Sequence, residues 1–157
     1  MDDQNALLPG IEYELLLLSR HRARDRTRSY RRGKSLEYSG YLLLSRLELE
    51  HPLSMKEIAT ALGLDPSTVQ RQVAALIGFG LVKNVFGLGS GAIRKVAPTK
   101  KGLDALKHHR EQSCTDLRES LGDWSEADLG RLRELLLRLN RGMEEREGRA
   151  WPRPSSP

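Results

Sequence analysis

The stretch "LSMKEIATALGLDPSTVQRQVAAL", residues 53–76, holds two apolar stripes separated by a glycine, and its reading decides the fold. In the second half Val69, Val73 and Leu76, followed by Ile77, recur as one stripe of an α-helix. Asp65 is a suitable N-cap, and Pro66 sits where a first helical residue needs no N–H, so the helix is expected over 66–78. Its other face carries Ser67, Thr68, Gln70, Arg71 and Ala74. These are short or planar hydrogen-bonding side chains, where a solvated helix usually carries a mixture of Lys and Glu.

The first half supplies the partner helix. Ser54 followed three residues later by Glu57 makes a capping box, Ile58, Ala59 and Leu62 form a buried stripe, and Gly63 stops the helix. The result is helix, tight turn, helix, with Leu64 plugging the space between the two. In a helix-turn-helix the second helix enters the major groove of DNA, where hydroxyl, amide and guanidinium groups bond base edges and nearby phosphates. A solvated face is the plain alternative for Ser67–Arg71.

Length and composition permit this reading. The chain has 157 residues, 38% of them apolar, which suits one domain with an ordinary core. The longest apolar run is the four leucines of "ELLLLS", far short of a membrane span, and "MDDQNALLPG" lacks the basic and apolar regions of a signal peptide, so no membrane partner and a cytoplasmic location are expected. Cys114, the single cysteine, cannot form an internal disulfide. The net charge of +5 is compatible with a polyanionic partner. Between Ser54 and Ala97 five bases (Lys56, Arg71, Lys83, Arg94, Lys95) face two acids (Glu57, Asp65), which favours phosphate contact. The arginine-dense block at residues 20–34, with Asp25 as its one acid, precedes this region and reads as a solvated face.

Downstream, "GFGLVKNVFGLGSGAIRKVAPTKKG" reads as two short strands around a glycine-rich tip: Leu81, Val82, Val85 and Phe86 suit the first, Ala92 to Val96 the second. A helix opens at "PTKKGLDAL". With "STVQRQVAALIGFGLV" followed by "TKKG", this order resembles the winged helix-turn-helix of the MarR family of bacterial transcription regulators over most of the chain. The fold class is then mainly α with a small β-hairpin wing and a helical dimerisation region. The corresponding parts are an N-terminal dimerisation helix in 10–35, with the helix itself over about 10–31, and a DNA-binding lobe in 36–98. C-terminal dimerisation helices in 99–148 and a flexible tail in 149–157 complete the chain. On this resemblance the wing departs from its relatives. Family members carry an Asp-x-Arg element there, and the equivalent positions, counted back from Thr99, are Ser90 and Ala92. Wing contacts are therefore expected from Lys83, Arg94 and Lys95, acting mostly on phosphate.

Ile11, Leu15 and Leu18 near the start, and Leu129, Leu132, Leu135, Leu136 and Leu139 near the end, make apolar stripes that serve either a dimer or an intrachain core. The resemblance implies a homodimer with interlocked terminal helices, two reader helices roughly 34 Å apart, and a near-palindromic double-stranded DNA operator. Ser125 is expected to cap the last helix, beginning near Glu126. The resemblance also implies a small aromatic or amphipathic effector, for which Tyr13, Tyr38, Tyr41 and His108 are the candidate ligand-binding residues. His108 and His109 are adjacent on a predicted helix and point about 100° apart, so no shared metal face is expected. No nucleophile elbow, paired-carboxylate or zincin pattern is present; no catalytic residue, cofactor or metal is expected. The expected function is a ligand-responsive repressor in which Lys56, Ser67, Thr68, Gln70, Arg71, Lys83, Arg94 and Lys95 bind DNA. The alternative is a winged-helix adaptor whose reader face binds protein.

Overall fold

The computed structural model describes residues 2–31, 36–86 and 93–154 and divides the chain into two compact units, 1–38 and 39–157. The first unit is one long helix, α1 (Asp2–Arg31). It begins eight residues before the expected start at 10, with Pro9 inside the helix. A proline inside a helix forfeits its N–H bond and crowds the preceding turn. Ile11 and Leu18 are exposed, and Leu15 and Leu17 half-buried.

The second unit runs α2 (Tyr38–Leu49), β1 (Leu53–Ser54), α3 (Met55–Leu62), α4 (Pro66–Gly78), β2 (Val82–Phe86), β3 (Arg94–Pro98), α5 (Lys100–Ser120) and α6 (Glu126–Glu147). The three strands form one antiparallel sheet in the order β1-β3-β2. Leu53 pairs with Val96, and on the other side Asn84 pairs with Val96 and Phe86 with Arg94. The hairpin is as expected, though its second strand is set two residues later and reaches Pro98. The two-residue β1 is too short to leave an alternating pattern. The "GLGSG" tip, Ser90 and Ala92 lie outside the described residues.

The core is built from the stripes read in the sequence. Leu43, Leu44 and Leu47 of α2, Ile58 of α3, Val69 and Val73 of α4, Val82 and Val96 of the sheet and Leu106 of α5 are buried almost completely. Side chains of this size each contribute roughly 1.5–3 kcal/mol when removed from water. The α3–α4 turn is set by Gly63, whose φ of 63° is left-handed.

The start of α5 is the tightest junction. Thr99 caps the helix by accepting from the Gly102 N–H at 3.0 Å, and its hydroxyl donates to the Gly80 carbonyl at 2.7 Å. The Thr99 N–H donates to the Leu81 carbonyl at 3.0 Å. Gly102 rests on that same carbonyl: a Cβ there would stand 2.0 Å from the Leu81 oxygen and 3.2 Å from Leu44 Cδ2.

Farther along α5, the Tyr41 and His109 rings stack with centroids 4.0 Å apart and planes at 29°. Beside them Arg110 pairs with Glu48 at 2.6 Å. Burial, then the charges of Arg110 and His108, hold the His109 pKa below its ordinary 6.5. α6 starts as expected at Glu126, capped by Ser125, and ends at Gly148 in the left-handed region.

The segment expected to be loose is tethered as far as Arg153. Arg46 donates to the Ala150 carbonyl at 3.1 Å and lies 5.2 Å from the Trp151 ring centroid, while Arg153 reaches Glu144 of α6 at 2.6 Å. The physical reason is a tryptophan that gains more by covering α2 than by standing in water.

Gly102→Ala is expected to cost about 2–3 kcal/mol in denaturant unfolding, because a backbone carbonyl must shift to admit the methyl. Gly142→Ala, whose Cβ meets nothing within 4 Å inside α6, is expected to gain about 0.5–1 kcal/mol. For His109 the folded state prefers the neutral ring, so the unfolded chain binds more protons. Its share of stability is complete above pH 6.5 and is lost as pH falls through the lowered folded value. Glu57 and Glu144, lowered from 4.5, lose their share only in a more acidic range. Thermal melts are expected to decline just below pH 6.5, and His109→Phe, which retains a ring against Tyr41, is expected to flatten that part of the profile.

Candidate nucleic-acid interface

The interface is built on α4, whose position is fixed from both ends. At its start Pro66 fits the first turn, and Asp65 has the extended backbone of an N-cap. The Asp65 side chain makes no capping bond, a departure from the expected cap; its carbonyl accepts from the Thr68 and Val69 N–H groups at 3.0 and 3.1 Å. Upstream, the capping box of α3 forms in full. The Glu57 N–H donates to Ser54 Oγ at 3.2 Å, and the Ser54 N–H donates to Glu57 Oε2 at 2.7 Å. These bonds to Ser54 are the main reason the Glu57 pKa lies below its ordinary value, with Lys95 adding a smaller effect.

Because Val69, Val73 and Leu76 turn inward, the helical period leaves Ser67, Gln70, Arg71 and Ala74 exposed and Thr68 half-buried. Arg71 Nη2 stands 3.5 Å from Thr68 Oγ1, a long contact that tethers the guanidinium only weakly. Lys56 is exposed on α3. The two helices thus expose hydroxyls, an amide, a guanidinium and an ammonium, side-chain types matched to base edges and phosphates.

The three wing bases differ in their surroundings. Lys83 is exposed. Lys95 is half-buried and 3.6 Å from Glu57 Oε2, so part of its charge is answered within the protein. Arg94 donates from Nε to Asn84 Oδ1 at 2.6 Å. Nothing in the sequence marks Asn84; a polar residue two places before Phe86 gives no signal until the register sets it diagonal to Arg94. Phe86, assigned from sequence to an apolar strand pattern, is 71% exposed, since the hairpin outruns the core at that point.

The candidate ligand residues have different local surroundings. Tyr13 is exposed on α1 and Tyr38 is exposed at the start of α2. Tyr41 stacks on His109, while His108, one residue earlier, faces solvent. Among the described residues no group of three or more His, Cys, Asp or Glu side chains is arranged to hold a metal ion, and no helix is long and apolar enough to cross a membrane.

Comparison with known proteins agrees with this geometry. The family model of the IclR helix-turn-helix domain matches residues 43–85, the span from α2 into β2. An uncharacterized HTH-type transcriptional regulator of Bacillus subtilis (strain 168), YxaD, is 35% identical over 141 residues, covering 90% of this chain and 97% of that protein. Among solved structures, a MarR family protein from Bacillus stearothermophilus superposes with a TM-score of 0.69 at 21% identity, over 86% of this chain and 96% of that one. Staphylococcus aureus MarR in complex with salicylate and kanamycin gives 0.71 at 15% identity, over 92% and 95%. With a helix-turn-helix and a β-hairpin wing, and with a relative that matches over nine-tenths of its length, the chain belongs to the HTH-type transcriptional regulators and has the winged helix-turn-helix fold of the MarR family structures.

Proposed function

We propose that this regulator is a homodimeric repressor that recognises a near-palindromic operator through α4 and its wing and responds to a small effector. The observation that carries the reading is the outward face of α4. Ser67, Gln70 and Arg71 stand exposed over a fully buried stripe, so the helix is rigidly seated and its donors are free to meet a groove. Gln70 and Arg71 read base edges, Ser67 and Thr68 contact bases or phosphates, and Lys56, Lys83, Arg94 and Lys95 anchor the sugar–phosphate backbone.

Dimerisation is supported by what α6 leaves uncovered. None of its residues is buried, and Leu129, Leu135, Leu136, Leu139 and Met143 are exposed. A second copy removes such a stripe from water and places two reader helices on successive turns of the duplex. Effector response is supported by the aromatic residues on α1, α2 and α5, and by the salicylate bound to the structurally similar Staphylococcus aureus protein. Tyr13, Tyr38, Tyr41 and His108 are the residues assigned to it.

Selection of bound genomic fragments tests DNA recognition and names the operator together. On that operator Arg71→Ala is expected to cost about 1–3 kcal/mol and to relax preference at one base pair, whereas Lys56→Ala weakens all sequences alike and lowers the salt slope by about 1. Unchanged affinity and preference in Arg71→Ala removes α4 from the reading role. The double variant Leu135→Asp with Leu139→Asp is expected to sediment as a folded monomer with greatly weakened operator binding; a dimer of native affinity shows that the interface lies elsewhere.

A further inference from the structure

The wing carries an arrangement that its missing Asp-x-Arg element does not foretell. Residues directly opposite in an antiparallel pair share a face, as do residues two apart on one strand. The register Asn84↔Val96 and Phe86↔Arg94 therefore places Asn84, Phe86, Arg94 and Val96 on one face of the hairpin. At its root this face is core, with Val82 and Val96 buried; at its outer end it is open, with Phe86 and Arg94 both exposed. The Asn84–Arg94 bond runs along the boundary between the two.

We propose that Asn84, Arg94 and Phe86 form a clamp for the sugar–phosphate backbone of duplex DNA, in which Asn84 positions Arg94 and the Phe86 ring packs on deoxyribose. Three features carry this, and it rests on the DNA-binding reading of the family fold. The first is which nitrogen Asn84 holds. By engaging Nε it fixes the inner edge of the guanidinium and leaves the two Nη groups, the pair that meets a phosphate in bidentate fashion, without a partner among the described residues. The second is charge. Asn84 is a neutral acceptor, so Arg94 is oriented without being neutralised, in contrast with Lys95, which faces Glu57. The third is Phe86, directly opposite Arg94, whose exposed ring has no role in the core. Cation and apolar surface side by side match a DNA strand, where each phosphate is flanked by sugars that present C–H surface.

The clamp lowers the cost of binding in a specific way. An unrestrained arginine loses rotamer freedom when it meets a phosphate, and one already held by its Nε loses less. Asn84 is thus a positioning residue that acts through Arg94, while Arg94 releases counterions and Phe86 does not.

The test uses the full-length protein and random-sequence duplex DNA, since a backbone clamp carries no base preference, with affinity measured across a salt series. Thermal unfolding and sedimentation are followed in parallel. Wild type is expected to bind with a steep salt dependence; if it does not bind, the DNA-binding reading itself fails. Given binding, Arg94→Ala is expected to weaken it severalfold and lower the slope by about 1. Asn84→Ala is expected to weaken it by a smaller factor with the slope unchanged, and to have no further effect in the Arg94→Ala background. Asn84→Asp retains the acceptor but answers the charge, so it is expected to lower the slope as Arg94→Ala does. Phe86→Ala is expected to weaken binding by the same factor at every salt concentration. The proposal is overturned if Asn84→Ala leaves affinity unchanged, or if it acts equally with and without Arg94. It is likewise overturned if Phe86→Ala changes oligomeric state and not affinity, which assigns the ring to a contact between copies of the chain.

Discussion

The structure turns on the close approach of α5 to the Leu81 carbonyl. That oxygen accepts from the Thr99 N–H and lies against Gly102, while the Leu81 N–H donates to the Leu76 carbonyl in α4. One residue therefore ties together the end of α4, the root of the hairpin and the first turn of α5. Any side chain at position 102 pushes α5 away from the carbonyl, and Thr99, bonded to Gly80, has no slack to follow. The "TKKG" run is a geometric requirement of this junction: a cap for the helix, then a bare backbone where the chains touch.

Charge on the lobe is distributed with the same economy. Glu57, which faces Lys95, also serves as the reciprocal member of the α3 capping box, so the carboxylate that answers this cation is already held in place by the helix start. Exposed ion pairs of this kind contribute little to stability. Arg94, by contrast, is held by the neutral oxygen of Asn84, and Arg71 has only a long contact with Thr68. A cation held by a neutral group retains its full charge and loses only rotamer freedom.

The elements with strong periodicity were legible before the structure. The bounds of α4, the Ser54–Glu57 capping box, the Gly63 turn and the start of α6 after Ser125 are all decided by local chemistry, and the fold reproduces them. What escaped depends on contacts distant in sequence. β1 exists because Leu53 and Ser54 meet Val96 and Lys95 across the sheet, and Asn84 gains a role only through its register with β3. The Tyr41 partner depends on which side of α5 faces α2, and adjacent histidines in the sequence do not distinguish His108 from His109 until that packing is known.

The C-terminal helix shows why local pattern and final environment diverge. Its leucines recur as in a buried helix, yet within this chain none is buried. Its polar residues, by contrast, are committed: Glu144 binds Arg153 and the Trp151 N–H, and the following backbone at Ala150 is held by Arg46 of α2. The register of α6 against its own lobe is thus set by polar and aromatic contacts at its end, leaving the apolar face free of that duty. A helix that had to bury the same leucines against its own chain would satisfy them there and present nothing to a partner. Anchoring by the tail ties the end of α6 to α2 without engaging the apolar stripe.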